Sequence, residues 1–238
     1  DILKYFSELE EKLSLFDGST LDIASKQKEM EKKAKDLRKS GSVLTQKRLK
    51  GKKRFEEHVS SELDTLAMKG SQFSLKIIPN SADEPFSAGG MEEICFMLDT
   101  IGRKPMELNL IASGGELSRI MLVLKSMNLN DDSTETLVFD EIDAGIGGET
   151  ANAVGEKIKA ISGGGKQVIA ITHLHQIARF ADTHFMVDKE TDDSMATSTM
   201  KNLSHDERIS EIARMLGGEE SSMNVLKVAR DLLGKKGK

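Results

Sequence analysis

Two adjacent carboxylates, Asp140 and Glu141, follow directly after the apolar run at 137–139. Such a run is typical of a buried strand in a parallel sheet, and ligands of these sheets bind beyond the carboxyl ends of the strands. Side chains alternate along a strand, so the two acids are predicted to face different ways. One carboxylate could hold Mg²⁺ while the other orients and deprotonates a water. The pattern also occurs at plain helix N-termini, so by itself it leaves both interpretations open.

A second motif, Ser113-Gly114-Gly115-Glu116, stands directly before an amphipathic helical pattern. Ser113 is predicted to cap that helix, and the glycines would let a ligand approach the main chain. The free N–H groups and the positive end of a helix favour an anion such as phosphate. An ordinary capped helix start explains the motif equally well when it is taken alone.

A second apolar run, 168–172, ends in His173. A histidine at the end of a parallel strand could hydrogen-bond a terminal phosphate. Taken singly, His173 is better explained as a partly buried imidazole with satisfied hydrogen bonds. The order of the three motifs along the chain is more informative than any one of them, because it is the order found in ATP-binding-cassette ATPases.

Three stretches of the chain resemble the RecN family of bacterial DNA repair proteins, which are SMC-like members of the ATP-binding-cassette class. They are Ile111–Ile120, Val138–Gly147 and Ile171–His175, and the later segments 187–191 and 213–218 fit the same family. The resemblance runs from about Asp17 to the C-terminus. It implies the C-terminal lobe of an SMC-like head in an ATPase that acts in double-strand break repair and recombination.

The resemblance also implies roles for the site residues. Ser113–Glu116 would be the signature motif, Leu137–Glu141 the Walker B motif and His173 the switch histidine. Asp140 would help to hold Mg²⁺, and Glu141 would polarise the hydrolytic water. Two heads would form a homodimer around ATP.

Within that homodimer, Ser113 and Gly115 would contact the γ-phosphate of ATP bound by the opposing protomer. The chain departs from the wider class at Gly147, where SMC-type heads carry the aspartate of the D-loop. Asp143 lies nearby and should not be assumed to replace that aspartate.

A P-loop, G-x-x-x-x-G-K-[ST], would cradle the phosphates of ATP. The sequence contains none, and in RecN-like proteins this loop belongs to an N-terminal lobe on the far side of a coiled coil. The start at Asp1 agrees with a C-terminal half. We therefore expect the isolated chain to bind ATP weakly and to hydrolyse none.

The composition limits the class of protein. Among 238 residues, 31% are charged and 38% are hydrophobic, and no run of about 18 apolar residues could span a bilayer. A single cysteine, Cys95, and the lack of a secretory leader favour the cytoplasm, where the resemblance implies association with the nucleoid. No membrane partner is expected.

Residues 1–70 are predicted to form a coiled-coil arm. Apolar residues from Ile2 to Phe16 recur at alternating spacings of four and three, and the pattern resumes after the turn-like Asp17–Thr20, which predicts two helical arms of an antiparallel coiled coil. The segment Lys26–Arg54 holds thirteen Lys or Arg and three Asp or Glu, whereas the whole chain has a net charge of −5. This segment is either a solvated face of the coil or a DNA contact.

Residues 71–238 alternate strand and helix patterns and are predicted to form the α/β lobe. Strands are expected at 73–78, 93–98, 136–140, 167–172, 184–187 and 195–203, and helices at 113–128, before 163, and at 173–181, 206–216 and 220–233. This alternation indicates a mostly parallel sheet covered by helices on both faces.

Three other classes of protein stay open. A transporter ATPase subunit would need a P-loop within about 100 residues upstream of the signature, where this chain has heptads. Other SMC-class heads, including cohesin-like and Rad50-like ones, would share the motifs, although the chain lacks the Cys-x-x-Cys of a zinc hook. The third is a non-enzymatic coiled-coil interaction module with a degenerate head.

Overall fold

The computed structural model describes residues 2–100, 104–111, 113–127, 135–192, 195–217 and 223–234, with side chains described in these ranges except at 14–21 and 189–196. The chain forms two compact units. The first comprises residues 1–55 and 75–95, and the second comprises residues 56–74 and 96–238. The expected domain boundary near residue 70 stays a prediction.

A single helix, α1, runs from Ile2 to Thr65. The predicted break at Asp17–Thr20 is therefore wrong, and the two expected arms are not separate helices in the described chain. One glycine inside a helix costs only about 1 kcal/mol, and propagation from the flanking turns is cooperative, so Gly18 does not end the helix. Apolar side chains of the heptad pattern, such as Phe6 and Leu9, are exposed along α1.

In the first unit, the buried carboxylate of Glu92 links helix α1 to the strands by hydrogen bonds. Strand β1 spans Gln72–Pro79 and β2 spans Glu92–Asp99. Glu92 is buried and accepts hydrogen bonds from Arg48, at 3.0 Å, and from the Thr45 hydroxyl. Gly41 lies against the Met91 side chain, where a Cβ atom would not fit.

The second unit contains the parallel strands that the sequence predicts. Strand β4, Thr136–Phe139, pairs in parallel with β5, Gln167–Ala170, in a register from Thr136↔Gln167 to Phe139↔Ala170. The connection between them carries α3, Gly148–Gly163, and α2, Gly114–Met127, precedes β4. The core residues of these elements are fully buried: Ile120, Leu122, Val123, Ile142, Val154 and Ile161. The α/β class is confirmed.

The expected helical cover on both faces of these strands is wrong for the described residues. Leu137 and Phe139 are buried, whereas Val138 is 63% exposed and Ile169 and Ile171 are also exposed. Because side chains alternate along a strand, one face of the β4–β5 pair is buried and the opposite face presents aliphatic side chains to solvent.

Antiparallel pairs accompany the parallel one. Strand β3, Met106–Glu107, pairs with β2 through Leu98↔Met106 and precedes a 3₁₀ turn at Leu108–Leu110; the sequence patterns predicted neither element. Strands β6, Phe185–Asp192, and β7, Met195–Asn202, form a hairpin.

The C-terminal helices form a second cluster of buried apolar residues. Helices α4, His175–Ala178, α5, His205–Met215, and α6, Met223–Leu233, contribute its buried members: Ala178, Ile209, Ile212, Ala213 and Ala229. Most predicted boundaries lie within three residues of those observed. No helix among the described residues is long and apolar enough to cross a membrane.

Helix α5 begins with a capping box that generates a prediction about pH. The Ser204 side chain accepts from the Glu207 N–H, and the Glu207 carboxylate accepts from the Ser204 N–H. Hydrogen bonds from Lys201 and then from Ser204 lower the pKa of Glu207 from 4.5 to about 2. The stabilisation from this carboxylate is therefore present above pH 4.5 and is lost as the pH falls towards 2.

We expect Glu207→Gln to lower the free energy of unfolding at pH 6, and we expect the difference from wild type to shrink as the pH falls from 4.5. Urea denaturation at several pH values between 6 and 3.5 measures this difference. Glu156→Gln, at an exposed position of α3, is the control and should show no such trend. A difference that is constant with pH would contradict the capping role.

Candidate functional site

The Ser-Gly-Gly-Glu motif forms the N-terminus of α2. Ser113 caps the helix, with the Glu116 N–H donating to Ser113 Oγ at 3.4 Å and the Leu117 N–H donating to the Ser113 carbonyl at 3.1 Å. Ser113 and Gly114 are exposed, whereas Gly115 is buried. The turn therefore lies at the surface, where an anion could reach its N–H groups.

The two acids lie just beyond strand β4, which ends at Phe139. Asp140 Oδ1 accepts the Glu141 N–H at 2.9 Å, and Glu141 has a φ of 55°. Neither residue lies in the strand, so the alternation of side chains along a strand does not apply to this pair. A non-glycine residue held in this region costs about 1–3 kcal/mol, and such strain is concentrated at functional sites.

The glycine turn and the acidic turn touch each other. Gly114 lies against the carboxylate of Glu141, and a Cβ atom on Gly115 would come within 2.8 Å of Ala144 Cβ and 3.1 Å of the Glu141 carbonyl oxygen. Ser118 Oγ donates to the Asp140 carbonyl at 2.8 Å. The absence of side chains at both glycines is what allows this approach.

Arg119 also joins α2 to the acidic turn, and the sequence analysis did not single it out. Its guanidinium is buried and donates through Nη1 to the Ala144 carbonyl at 3.0 Å. Burial lowers the pKa of Arg119, and Glu116 opposes that shift. The sequence does carry one signal for Arg119, because this cation recurs at helical spacing with Gly115, Leu122 and Val123, which are buried on the same side of α2.

His173 reaches the same region through Asp143. The Asp143 side chain is 7% exposed, and its Oδ2 accepts from the Thr172 hydroxyl at 2.6 Å and from the His173 N–H at 2.8 Å, and lies 2.9 Å from His173 Nδ1. The His173 ring is 74% exposed. Asp143 was noted in the sequence only as an uncertain substitute for the aspartate missing at Gly147. Its contact with His173 joins residues thirty positions apart, which no local pattern predicts.

The carboxylates of this site suit a cation that also takes ligands from phosphate and water. Among the described residues, no group of three or more His, Cys, Asp or Glu side chains could hold a metal ion by itself. Mg²⁺ is usually held by one or two carboxylates together with water and phosphate oxygens. The exposed Asp140 carboxylate could supply one such oxygen.

The fold and the order of the motifs define a class. A capped glycine turn on α2, two acids after β4 and a histidine after the parallel strand β5 follow one another in the order that the resemblance implies for the C-terminal lobe of an SMC-like head. No protein-family model matches the sequence.

The sequence is similar to curated DNA repair proteins. The chain is 33% identical to the DNA repair protein RecN of Bacillus subtilis and 39% identical to that of Rickettsia bellii, in each case over 98% of this chain and 42% of the relative. The RecN of Haemophilus influenzae is 35% identical over 86% of this chain and 37% of the relative. The chain is thus similar to RecN proteins over nearly its whole length and spans about two fifths of the length of the curated relatives that it matches.

Solved structures of Smc heads are similar over part of the chain. The Smc head domain of Pyrococcus yayanosii, with a coiled coil and joint, gives a TM-score of 0.46 at 21% identity, over 68% of this chain and 28% of that chain. The Pyrococcus furiosus Smc head with an extended coiled coil gives a TM-score of 0.41 at 21% identity, over 62% of this chain and 34% of that chain.

The contact between the glycine turn and the acidic turn predicts that a methyl group at Gly115 lowers the stability of the fold. Gly115→Ala should lower the free energy of unfolding by about 1–3 kcal/mol, because the added Cβ meets backbone and a short side chain that cannot move aside. Gly163→Ala is the matched control, since a Cβ there has no neighbour within 4 Å. Urea denaturation of the three proteins measures the difference. Equal stability of Gly115→Ala and wild type would contradict the close approach of the two turns.

Proposed function

We propose that this chain is the C-terminal part of an ATP-driven head in a DNA repair protein of the RecN type. Two such heads would hold two ATP molecules between them, and hydrolysis would release the heads from each other. The observation that carries the proposal is the contact between the glycine turn and the acidic turn at one exposed edge, through Gly114–Glu141 and Ser118–Asp140.

The proposed roles follow the position of each group. The turn Ser113–Glu116 begins helix α2, with Ser113 and Gly114 exposed, and would bind the γ-phosphate of ATP held by the opposing head. Asp140 would contribute a carboxylate oxygen to Mg²⁺, and Glu141 would orient and deprotonate the attacking water. Bound Mg²⁺ and ATP supply the polarised phosphoryl group. His173 would hydrogen-bond that phosphoryl group through its exposed ring.

The exposed face of the β4–β5 pair supports a second lobe as a partner. Val138, Ile169 and Ile171 form an aliphatic surface that water does not favour, and Met121 of α2 is exposed as well. The relatives are more than twice as long as this chain, which leaves room for such a lobe. We propose that the N-terminal lobe of the intact protein covers this face and supplies the P-loop that the present sequence does not contain.

DNA is the proposed partner of the basic segment Lys26–Arg54. This segment lies entirely within α1, and exposed lysines at 28, 32, 35 and 39 share one face by their spacing. Two of its other lysines, Lys26 and Lys33, pair with Glu29. The exposed row could follow a phosphate backbone, in agreement with a role in the cytoplasm at the nucleoid.

The ATPase proposal is tested with the intact protein. Glu141→Gln should lower kcat by about a hundredfold or more, since positioned general bases contribute about 10²–10⁴-fold, and it should still permit ATP-dependent dimers. Phosphate release and size-exclusion chromatography measure the two properties. The present chain alone should release no phosphate.

Two results would overturn the ATPase proposal. Phosphate release by the present chain alone would show that no second lobe is needed. A Glu141→Gln protein that never dimerises with ATP, together with a wild type that does not hydrolyse it, would favour the non-enzymatic interaction module.

The DNA proposal is tested by charge reversal. Changing Lys28, Lys32, Lys35 and Lys39 to Glu should weaken DNA binding and reduce the slope of log K against log salt by about 3–4, at about 0.9 per phosphate contact. Kd measured by fluorescence anisotropy at several salt concentrations gives the slope. The control reverses four exposed lysines outside the segment, namely Lys4, Lys12, Lys69 and Lys76. Equal losses in the two variants, or none, would assign the segment to a solvated face.

A further inference from the structure

Asp143 is a buried carboxylate to which the proposed chemistry gives no role. It lies in the turn after β4, and its Oδ2 accepts two hydrogen bonds from the turn after β5, from the Thr172 hydroxyl and the His173 N–H, and lies 2.9 Å from His173 Nδ1. The same Thr172 hydroxyl accepts the Leu174 N–H at 3.0 Å. Asp143 Oδ2 thus contacts both the main chain and the ring of His173, which follows strand β5.

The contacts of Asp143 do more than compensate its buried negative charge. A buried carboxylate needs hydrogen-bond donors, and hydrogen bonds to an ionised group are the strong ones. Main-chain and hydroxyl donors would be enough for that purpose. The third contact is with an imidazole nitrogen, His173 Nδ1, at 2.9 Å, on a ring that is 74% exposed, so the carboxylate is close enough to restrain a side chain that solvent would leave free to rotate.

The contact also decides which ring nitrogen is available. A carboxylate accepts hydrogen bonds and cannot donate them, so a proton on Nδ1 of His173 is the one that the Asp143 oxygen at 2.9 Å would favour. The other nitrogen, Nε2, is then the atom that is available to a ligand. Metal-bound and catalytic histidines are oriented in the same way by a carboxylate on the far side of the ring.

The turn that carries Asp143 is fixed on its other side as well. The Ala144 carbonyl accepts from Arg119 at 3.0 Å, and the Ala144 N–H donates to the Glu141 carbonyl at 3.0 Å. A displacement of Asp143 therefore requires these bonds to change. Through one short turn, the helix of the glycine motif and the histidine loop are held in a fixed relation.

We propose that Asp143 is a positioning residue that fixes His173 in the tautomer protonated at Nδ1 and presents Nε2 to the phosphoryl group of the bound nucleotide. The ligand part of this inference rests on the proposed ATPase function. The tautomer part concerns this chain alone and is measurable without a nucleotide.

The first experiment measures the tautomer in the 238-residue chain. Long-range ¹H–¹⁵N spectra of ¹⁵N-histidine-labelled protein distinguish Nδ1–H from Nε2–H, and a His173→Gln variant assigns the signal. We expect Nδ1–H in wild type and a shift towards Nε2–H in Asp143→Ala. The control is Glu149→Gln, an exposed acid at the start of α3, which should leave the signal unchanged.

A second variant keeps the test decisive if Asp143→Ala does not fold. Asp143→Asn retains the size and one accepting oxygen, so it should fold with a mixed tautomer population. Wild-type protein in the Nε2–H form, or an unchanged Nδ1–H population in a folded Asp143→Ala or Asp143→Asn protein, would overturn the positioning role.

The second experiment uses the intact protein. Asp143→Asn should lower kcat for ATP by about tenfold to a hundredfold with KM nearly unchanged, as for other groups that orient a functional side chain. If wild type does not hydrolyse ATP, the proposed function fails while the tautomer result still stands. If wild type hydrolyses ATP and Asp143→Asn has the same kcat, the catalytic part of this inference is wrong.

Discussion

The close approach of two backbone turns is the constraint on which the site depends. Gly114 lies against the Glu141 carboxylate, and Gly115 lies against Ala144 and the Glu141 carbonyl oxygen at distances that leave no space for a side chain at Gly115. The helix N-terminus and the two acids can be neighbours only because of this contact. The left-handed backbone of Glu141 is part of the same arrangement, since it turns the chain back towards α2 directly after the strand.

Buried charges hold the loops in place. In the second unit, Arg119 joins α2 to the acidic turn, Asp143 joins that turn to the histidine loop, and Glu211 is paired with Arg214 on α5. In the first unit, the Glu92 carboxylate accepts hydrogen bonds from Arg48 and Thr45. Removing one partner of such a pair leaves a buried charge uncompensated, so these residues fix geometry more than they add net stability.

The chain does not bury all of its own apolar surface. The apolar side chains in the first part of α1, such as Phe6 and Leu9, and the aliphatic face of the β4–β5 pair are exposed, although they have the composition of packed interfaces. The similar RecN proteins are more than twice as long as this chain. The proposal of an N-terminal lobe is argued from the exposed β4–β5 face as well as from these relatives.

The sequence by itself determined the kinds of element and the motifs. Apolar runs ending in Asp140 or His173, a serine before two glycines, and strand and helix patterns of ordinary length are local features, and local propensity and periodicity decide them. The break predicted at Asp17–Thr20 failed because cooperative helix propagation outweighs one glycine and three weak helix formers. Only the tertiary structure decided that Asp143 holds His173 and that Arg119 reaches Ala144. These pairs are distant in the sequence, and their contact depends on the parallel register of β4 and β5 and on the packing of α2, which no single stretch of residues encodes.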